Sequence, residues 1–298
     1  MIKIYMEITL ENRYIKAAFS PVGAEMISFF DKTKNIELLW QGEKGVYTDR
    51  SPNLFPMIGR LKNGKYTYDG KEYRLCLHGF AKDSLFTPIE QTSDSVTFLL
   101  TDSPGTLEVY PFKFNFLVKY ELKENKLITS YTVKNTGRDT MYFGVGGHPA
   151  FNLPCSEEAS GVKIEGSKLV FEHEENPDRL LFDPDEILIT GAERYGPVTE
   201  IPLSKDLFAV DALLFKNLKG KSVALQRADG ISVKFRYNDC PYLAFWTHKN
   251  GGSFICFEPW CGLPDSFEPI SELKDKEGIN RLGQGCSFHY NYETETCA

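Results

Sequence analysis

The feature that most constrains the fold of this chain is a long stretch in which apolar and polar residues alternate. From Phe112 to Leu122 every second residue is aromatic or aliphatic, and lysine, asparagine and glutamate occupy four of the five positions between them. A period of two is the pattern of a β-strand with one buried face. The alternation resumes over residues 127–133 after a Lys-Glu-Asn-Lys turn, so the two stretches predict a β-hairpin.

Shorter runs of the same kind are spread along the sequence, at residues 8–19, 96–100, 161–164, 169–171, 223–226, 231–237, 242–247 and 254–257. Turn residues follow at 135–137 and 228–230, and helical turns are expected only near residues 106–110 and 266–273. Many short strands without strand–helix alternation predict an all-β fold, a large antiparallel sandwich or barrel. Because no linker, low-complexity tract or repeat divides the chain, we expect one domain over residues 1–298.

Composition and charge argue against several classes of protein. The formal charge of −7 argues against nucleic acid as a partner, because that binding depends on cations that neutralise phosphates. No apolar run reaches the roughly 18–20 residues of a membrane helix, and the N-terminus does not resemble a signal peptide. Seven cysteines without regular spacing indicate reduced thiols rather than a disulfide framework or a metal site. We therefore expect a cytoplasmic protein without a bound metal.

The segment from Gly144 to Pro154 holds the first candidate for chemistry. In it His148 lies between a glycine pair and a proline. Glycine permits unusual φ angles and close approach, and proline fixes φ, so this backbone would hold one imidazole in place. A fixed, accessible imidazole can give or take a proton near neutral pH. A structural histidine in a Gly-rich bend is the alternative, and the segment alone does not decide between them.

Glu258 is the second candidate, because it follows four apolar residues and precedes Pro259 and Trp260. A carboxylate in such a setting is expected to be partly desolvated, which makes it a better proton acceptor. Glutamate is rarely buried without a partner or a function. The segment therefore predicts a functional carboxylate.

Three other polar residues interrupt apolar segments, namely Arg60, His78 and Asp211. The planar guanidinium of Arg60 suits hydrogen bonding to hydroxyls or a carboxylate. Taken singly, the three could equally be an ion-paired surface arginine, a turn histidine and a cap residue. Trp246 and Trp260 offer flat faces on which a sugar ring can stack, although large aromatic residues of β-domains usually lie in the core.

Together these segments resemble one family. Phe-Pro-x-x-Gly-Arg at residues 55–60, His-Gly-Phe-Ala at 78–81 and Gly-Gly-His-Pro-x-Phe-Asn at 146–152 stand in the order and rough spacing of the aldose 1-epimerase (galactose mutarotase) superfamily. Asp211 and Phe-Glu-Pro-Trp at 257–260 continue that order. The similarity is greatest to the LacX-like branch and spans nearly the whole chain. It implies a galactose mutarotase-like antiparallel β-sandwich with a sugar cleft on a concave sheet face.

The resemblance also implies roles for the candidate residues. His148 would be the general acid and Glu258 the general base of a mutarotase, which interconverts the α and β anomers of a hexose by opening its ring. Arg60, His78 and Asp211 would hold sugar hydroxyls. Trp246 is expected to add a stacking surface because of its flat ring and not because of the resemblance. The family is not known to need a cofactor, so none is expected here. The expected partner is a small-molecule sugar. We expect a monomer or a weak homodimer.

Two other functions stay open. A hexose-6-phosphate 1-epimerase would share the acid and base, and Arg60, Arg74 and Lys82 could cluster around its phosphate. Lys82 stands where this branch more often has arginine, so the contact that the arginine makes is not carried over to Lys82. A non-catalytic carbohydrate-binding sandwich would share the fold, because fold alone does not determine function. Such a binder would have no need to keep both proton-transfer residues.

Overall fold

Antiparallel β-structure dominates the part of the chain that the structure describes. The computed structural model describes residues 6–154, 164–249, 252–268 and 270–297. Within these residues there are 25 strands, one α-helix (α1, Pro104–Val109) and four 3-10 helices at Lys62–Gly64, Ala81–Asp83, Lys205–Phe208 and Leu273–Asp275. None of the described helices has the length and apolar character needed to cross a membrane.

The strands are numbered in chain order: β1 (Ile8–Glu11), β2 (Ile15–Phe19), β3 (Met26–Asp31), β4 (Ile36–Glu37), β5 (Asn53–Leu54), β6 (Lys65–Tyr68), β7 (Lys71–Arg74), β8 (Thr87–Gln91), β9 (Ser95–Thr101), β10 (Phe114–Lys123), β11 (Lys126–Asn135), β12 (Met141–Phe143), β13 (Val145–Gly147), β14 (Ala150–Asn152), β15 (Lys168–Glu175), β16 (Asp178–Phe182), β17 (Ile189–Arg194), β18 (Val198–Pro202), β19 (Leu213–Lys216), β20 (Ser222–Gln226), β21 (Ser232–Arg236), β22 (Tyr242–Trp246), β23 (Phe254–Cys261), β24 (Asn280–Leu282) and β25 (Ser287–Thr296).

Two large sheets contain most of these strands. The first has nine strands in the order β18-β15-β20-β21-β25-β11-β10-β9-β8, and the second has the order β17-β16-β19-β22-β23-β13-β5, with β14 also paired to β23. Neighbouring strands in both sheets run antiparallel. Strands β1 to β4 form a smaller sheet, and β6-β7 and β12-β24 form two-stranded ribbons. The predicted antiparallel sandwich is confirmed.

The core lies between the two large sheets. Strand β10 directs Phe114, Phe116, Val118 and Tyr120 inward, and all four are fully buried. Phe55, which follows β5 of the second sheet, stacks on Phe116 with the ring centroids 4.8 Å apart. Burial of a side chain of this size stabilises the fold by about 1.5–3 kcal/mol. The alternation seen in the sequence is therefore the inward face of the nine-stranded sheet.

Strand β23 is buried along its whole length because both of its faces are covered. Ile255 and Phe257 belong to the core between the sheets. Cys256 and Trp260 belong to separate apolar clusters instead. Since side chains alternate along a strand, Glu258 lies on the same face as Cys256 and Trp260. This outer face of the eight-stranded sheet carries the cleft described below.

Most local predictions agree with the structure. The hairpin is confirmed, since β10 and β11 pair from Phe114 with Asn135 to Lys123 with Lys126. The helical turn near residues 106–110 is confirmed as α1, which Ser103 caps by accepting a hydrogen bond from the amide of Thr106 at 3.2 Å. The predicted run at 161–164 falls mainly on residues 161–163, which lie outside the described residues.

Two local predictions need correction. The run at residues 8–19 is not one strand but the hairpin β1-β2, because the Asn12 side chain accepts hydrogen bonds from the amides of Tyr14 and Ile15 and turns the chain. The helical turn expected at 266–273 is wrong for most of its described residues. There the amide of Phe267 donates to the carbonyl of Ile189, so this backbone pairs with β17 rather than with itself.

Candidate active site

A cleft of about 270 Å³ opens on the outer face of the eight-stranded sheet. Trp246 of β22 and Glu258 and Trp260 of β23 contribute to its lining, together with residues from surrounding loops. All six residues predicted to bind or convert a sugar line this one cleft, namely Arg60, His78, His148, Asp211, Trp246 and Glu258. The structure therefore brings together side chains that are spread over most of the sequence.

Strand register places His148 beside Glu258. Gly146 of β13 pairs with Trp260, and Ala150 of β14 pairs with Cys256, both on β23. His148 lies midway between the two pairs and therefore opposite Glu258. Its Nε2 atom is 3.0 Å from a carboxylate oxygen of Glu258, and both side chains are buried.

The glycine pair before His148 is needed for packing. A Cβ atom on Gly146 would lie 2.7 Å from the carbonyl oxygen of Pro259, and one on Gly147 would lie 2.8 Å from the Tyr292 ring. Neither glycine is among the described residues with positive φ. Of the two properties expected of these glycines, the structure uses close approach rather than a left-handed φ, because Pro259 on the neighbouring strand and Tyr292 on the opposite sheet leave no room for a side chain.

The environment of His148 favours its protonated form. Burial acts to lower the pKa of His148, but the charge of Glu258 and its hydrogen bond outweigh burial and raise the pKa above the ordinary value. An imidazole near neutral pH with a raised pKa keeps a larger share of its protonated form. Such a group can act as a general acid toward a ligand atom that reaches its Nε2 atom.

His78 is held as a neutral histidine. Burial, followed by the charges of His148, Lys82 and Arg60, lowers the pKa of His78 well below its ordinary value. Its Nδ1 atom accepts a hydrogen bond from the Gly59 amide at 3.0 Å, so the ring proton is on Nε2. The His78 and His148 rings are nearly perpendicular, with centroids 5.5 Å apart. His78 is therefore suited to donate a hydrogen bond without competing as an acid.

Asp211 lies two residues before β19, on the wall of the cleft. Burial, and then the negative charge of Glu258, raise the pKa of Asp211 to about 6. This carboxyl therefore changes charge close to neutral pH. It can hydrogen-bond a ligand hydroxyl as an acceptor when ionised, and also as a donor when protonated.

Of the three basic residues considered as a phosphate-binding cluster, only Arg60 and Lys82 line the cleft. Arg60 is exposed and forms no ion pair with a described residue, whereas Lys82 Nζ is 3.5 Å from Asp49 and 3.3 Å from Asp83. Burial acts to lower the pKa of Lys82, but these two carboxylates raise it above the ordinary value. Arg74 is not in the described lining of the cleft; it lies on β7 with its side chain 69% exposed, paired with Glu72. The three-residue cluster considered for a sugar phosphate is therefore not assembled.

Three buried side chains of the site are of types that bind metal ions, but the Cys256 thiol is protonated and does not suit a metal. Ligand atoms of His148, Cys256 and Glu258 all lie within 4.8 Å of one another, a grouping that their sequence spacing does not reveal. Imidazole, thiolate and carboxylate are the ligands that zinc uses. Burial, and then Glu258, raise the pKa of the Cys256 thiol well above its ordinary value, so the thiol stays protonated at neutral pH. A metal here would occupy the two groups that proton transfer needs.

Two residues of the site were missed from the sequence. Tyr47 lies with its hydroxyl 3.3 Å from Nδ1 of His148, and Asp49 pairs with Lys82. Both belong to a polar loop between β4 and β5 without strand alternation or a recognisable motif. No local signal in the sequence indicates them, because the path of this loop over the sheet depends on tertiary contacts.

Comparison with known proteins agrees with this arrangement of residues. A family model described as Aldose 1-epimerase matches residues 6–271, which include all six candidate residues. The chain belongs to the aldose 1-epimerase family. Membership of this family supports an isomerase activity on a small sugar.

Relatives within the aldose 1-epimerase family agree with the LacX-like resemblance. The chain is 32% identical to the plasmid LacX protein of Lactococcus lactis subsp. lactis over 93% of its own length and 95% of the relative. The galactose mutarotase of Bos taurus is 31% identical over 49% of the chain and 44% of the relative. A galactose mutarotase related enzyme from Lactobacillus acidophilus, solved by X-ray crystallography, superposes with a TM-score of 0.92 at 34% identity and 98% coverage of both chains.

Proposed function

We propose that this protein is an aldose 1-epimerase that interconverts the α and β anomers of an unphosphorylated hexose. The observation that carries the proposal is the 3.0 Å contact between His148 Nε2 and Glu258 in the sugar-sized cleft. A volume of about 270 Å³ is slightly below the roughly 300 Å³ at which pockets for drug-sized ligands begin, so it suits a monosaccharide.

In the proposed reaction the sugar separates the acid from the base. Glu258 takes the proton from the anomeric hydroxyl while protonated His148 donates a proton to the ring oxygen. The C1–O5 bond breaks, C1 becomes the carbonyl carbon of an open-chain aldehyde, and no electrons leave the sugar. Rotation about C1–C2 presents the other carbonyl face, and ring closure returns both protons. Positioned proton transfer of this kind contributes on the order of 10²–10⁴-fold in rate.

The remaining residues of the cleft would orient the sugar. The Nε2–H of His78 and the guanidinium of Arg60 would donate to hydroxyl oxygens, and Asp211 would accept from a hydroxyl. Trp246 stands with its ring centroid 5.9 Å from that of His148, so a sugar ring against its face would lie beside the acid. Orientation matters because the reacting atoms must approach within about 3–3.5 Å of their partners.

The charge of the cleft favours a neutral sugar over a sugar phosphate. Three carboxyl groups line the cleft, from Asp49, Asp211 and Glu258, against two permanently charged cations, Arg60 and Lys82. Lys82 is already paired with two carboxylates, which leaves Arg60 as the unpaired cation among the described lining residues. Phosphate recognition favours clustered basic groups, and a dianion here would meet the negative charge of Asp49.

The test is polarimetry on freshly dissolved α-glucose and α-galactose, with wild-type protein and with Glu258→Gln. We expect wild-type protein to accelerate mutarotation, and the variant to lose about 10²–10⁴-fold of that acceleration while still binding sugar. His148→Asn should be similarly damaging. Sugar binding can be followed by the fluorescence of Trp246 and Trp260, and circular dichroism confirms that the variants are folded.

Three outcomes separate the candidate functions. Near-normal turnover by Glu258→Gln would exclude it as the base. Acceleration only with hexose 6-phosphates, inhibited by inorganic phosphate, would replace the neutral substrate with a phosphorylated one. Sugar binding without acceleration of any anomeric conversion would identify a non-catalytic binding protein.

A further inference from the structure

Both ring nitrogens of His148 have a described partner. Nε2 contacts Glu258 at 3.0 Å, and Nδ1 is 3.3 Å from the hydroxyl of Tyr47. Tyr47 comes from the loop between β4 and β5, so it reaches the imidazole from an element other than the one that supplies the base. The position and tautomer of the proposed acid therefore depend on two separate parts of the chain.

The Tyr47 ring is fixed in this position. Its carbonyl oxygen accepts hydrogen bonds at 2.8 Å from the indole of Trp40 and from the amide of Glu43. The ring stacks on Phe254 with centroids 5.4 Å apart, and it meets Trp246 edge-on at 5.2 Å. A side chain packed on two aromatic rings, with its backbone anchored, can direct its hydroxyl with little loss of freedom on ligand binding.

The hydroxyl of Tyr47 can satisfy Nδ1 in both charge states of His148. Burial raises the pKa of Tyr47 well above its ordinary value, so the phenol keeps its proton. A phenol donates to the lone pair of neutral Nδ1 and accepts from the N–H of charged Nδ1. In the neutral ring the single proton is then on Nε2, and in the charged ring Tyr47 holds the Nδ1 proton while the other proton is on Nε2, toward Glu258 and the cleft.

We propose that Tyr47 is a positioning residue that keeps the proton of His148 on Nε2, where the ring oxygen of the sugar must receive it. The inference rests on the proposed function. It concerns the neighbour of the acid and not the acid itself. Tyr47 transfers no proton to the sugar in this proposal, and its effect passes through the orientation and charge of the imidazole.

Other titratable groups also act on His148, and they must stay unchanged in a test of Tyr47. They are Glu258 and Cys256 on β23, His78 on the loop after β7, Asp49 on the Tyr47 loop and Asp211 before β19. Tyr47→Phe removes only the hydroxyl and retains both ring contacts. Tyr66→Phe is a matched control, because the Tyr66 hydroxyl is also buried and donates to the carbonyl of Val109 at 2.9 Å, outside the cleft lining.

The deciding measurement is the titration of the His148 imidazole by NMR in wild-type protein, Tyr47→Phe and Tyr66→Phe. Loss of the hydroxyl removes a charge-assisted hydrogen bond from protonated His148 and a weaker neutral one from the uncharged ring. We therefore expect the His148 titration to move about half a pH unit or more to lower pH in Tyr47→Phe only.

Kinetics provide the second measurement. The high-pH limb of the mutarotation profile reports loss of the protonated acid, so it should move to lower pH with the titration. The kcat of Tyr47→Phe should fall roughly 3- to 10-fold with KM within about 2-fold, since loss of an aligned hydrogen bond in the transition state has this size. Tyr66→Phe should change neither the titration nor the profile.

An unchanged His148 titration in Tyr47→Phe would overturn the inference, whatever the rate, because the hydroxyl would then not act on the imidazole. A shifted titration with unchanged kcat would overturn it too, since the contact would have no effect on proton delivery. The titration needs no substrate. If wild-type protein accelerates no mutarotation, the proposed function fails by polarimetry while the Tyr47 contact is still measured separately.

Discussion

At the scale of single residues, the surroundings of Asp211, His78 and His148 shift their pKa values differently. Burial and Glu258 raise the pKa of Asp211 to about 6, whereas burial and His148 lower the pKa of His78 well below its ordinary value. Burial acts to lower the pKa of His148 as well, but Glu258 outweighs it and raises the pKa above the ordinary value. In this cleft the neutral His78 can hydrogen-bond a ligand, and the readily protonated His148 can act as an acid.

Asp211→Asn is expected to stabilise the folded protein near neutral pH. The carboxyl has an ordinary pKa of 3.8 and a folded pKa of about 6, so the folded state binds the proton more tightly. The cost of ionising it in the fold is absent below pH 4, grows between pH 4 and 6, and is complete above pH 6. Urea unfolding should show a gain of about 1–3 kcal/mol for the variant at pH 7.5 and little change at pH 4.

The control for Asp211→Asn is Asp239→Asn, because the Asp239 side chain is 94% exposed and pairs with Lys221. This control should give no pH-dependent gain. The stabilised Asp211 variant should bind sugar more weakly, with KM raised about tenfold for one lost hydrogen bond to a charged group. Equal stability of Asp211→Asn and wild-type protein at pH 7.5 would contradict the raised pKa.

At the scale of elements, the loop that carries Arg60 is held by its neighbours. The amide of Asp265 donates to the Arg60 carbonyl at 2.9 Å, and the Asp265 carboxylate accepts from the Lys62 amide at 2.8 Å. The same carboxylate pairs with the ammonium of Lys276, and both side chains are buried. Gly59 completes the turn, because its amide donates to His78. One short segment therefore positions two of the proposed sugar-binding residues, Arg60 and His78.

Gly59→Ala should damage both stability and sugar binding. Gly59 has a φ of +66°, and a Cβ atom there would lie 2.4 Å from Cγ of Pro264. The variant combines left-handed strain with a steric clash, which we expect to cost about 2–4 kcal/mol. Displacement of Arg60 and His78 should raise KM. Urea unfolding and mutarotation kinetics measure the two effects.

Gly70→Ala is the control for Gly59→Ala, because it introduces backbone strain without a steric clash. Gly70 lies in the β6-β7 turn at a φ of +69°, with no atom within 4 Å of its Cβ position. It should therefore lose about 1 kcal/mol from backbone conformation alone, with KM unchanged. If the two glycine variants behaved alike, contact with Pro264 would not be what holds the Arg60 loop.

At the scale of the whole molecule, one buried amide joins three sheets. The Asn53 side chain, on β5, donates to the carbonyls of Gly23 and Ala24, each at 2.9 Å, beside the β2-β3 turn. It accepts from the Tyr131 hydroxyl on β11 at 2.7 Å and contacts the Tyr120 hydroxyl on β10 at 3.0 Å. The network links the sheet that carries the cleft to the sheet behind it.

Asn53→Leu keeps the side-chain volume but leaves these polar groups without their partner. Each unpaired buried group costs about 1–3 kcal/mol, so we expect a loss of about 3–5 kcal/mol in the free energy of unfolding. Tyr131→Phe, which removes one of the hydrogen bonds, should lose about 1–2 kcal/mol. Thermal and urea unfolding measure both. A loss below 1 kcal/mol in Asn53→Leu would mean that the sheets are held by apolar packing alone.

The sequence by itself determined the strands and their buried faces, because alternation and turn residues act over a few neighbouring positions. The same local signals located α1 and the hairpin of β10 and β11. Motif resemblance indicated five of the six candidate site residues, and the flat ring of Trp246 suggested the sixth. Prediction failed at residues 266–273, where the backbone pairs with β17, a partner distant in the chain.

Only the tertiary structure decided which of these residues meet. Pairing of Gly146 with Trp260 and of Ala150 with Cys256 sets His148 opposite Glu258, and a register shifted by one residue would turn one of them away. Only the tertiary structure also shows that Tyr47 contacts His148, because Tyr47 lies on a loop whose sequence has no recognisable pattern. Register and loop path depend on packing between parts of the chain far apart in sequence, whereas the alternation that predicts a strand is local.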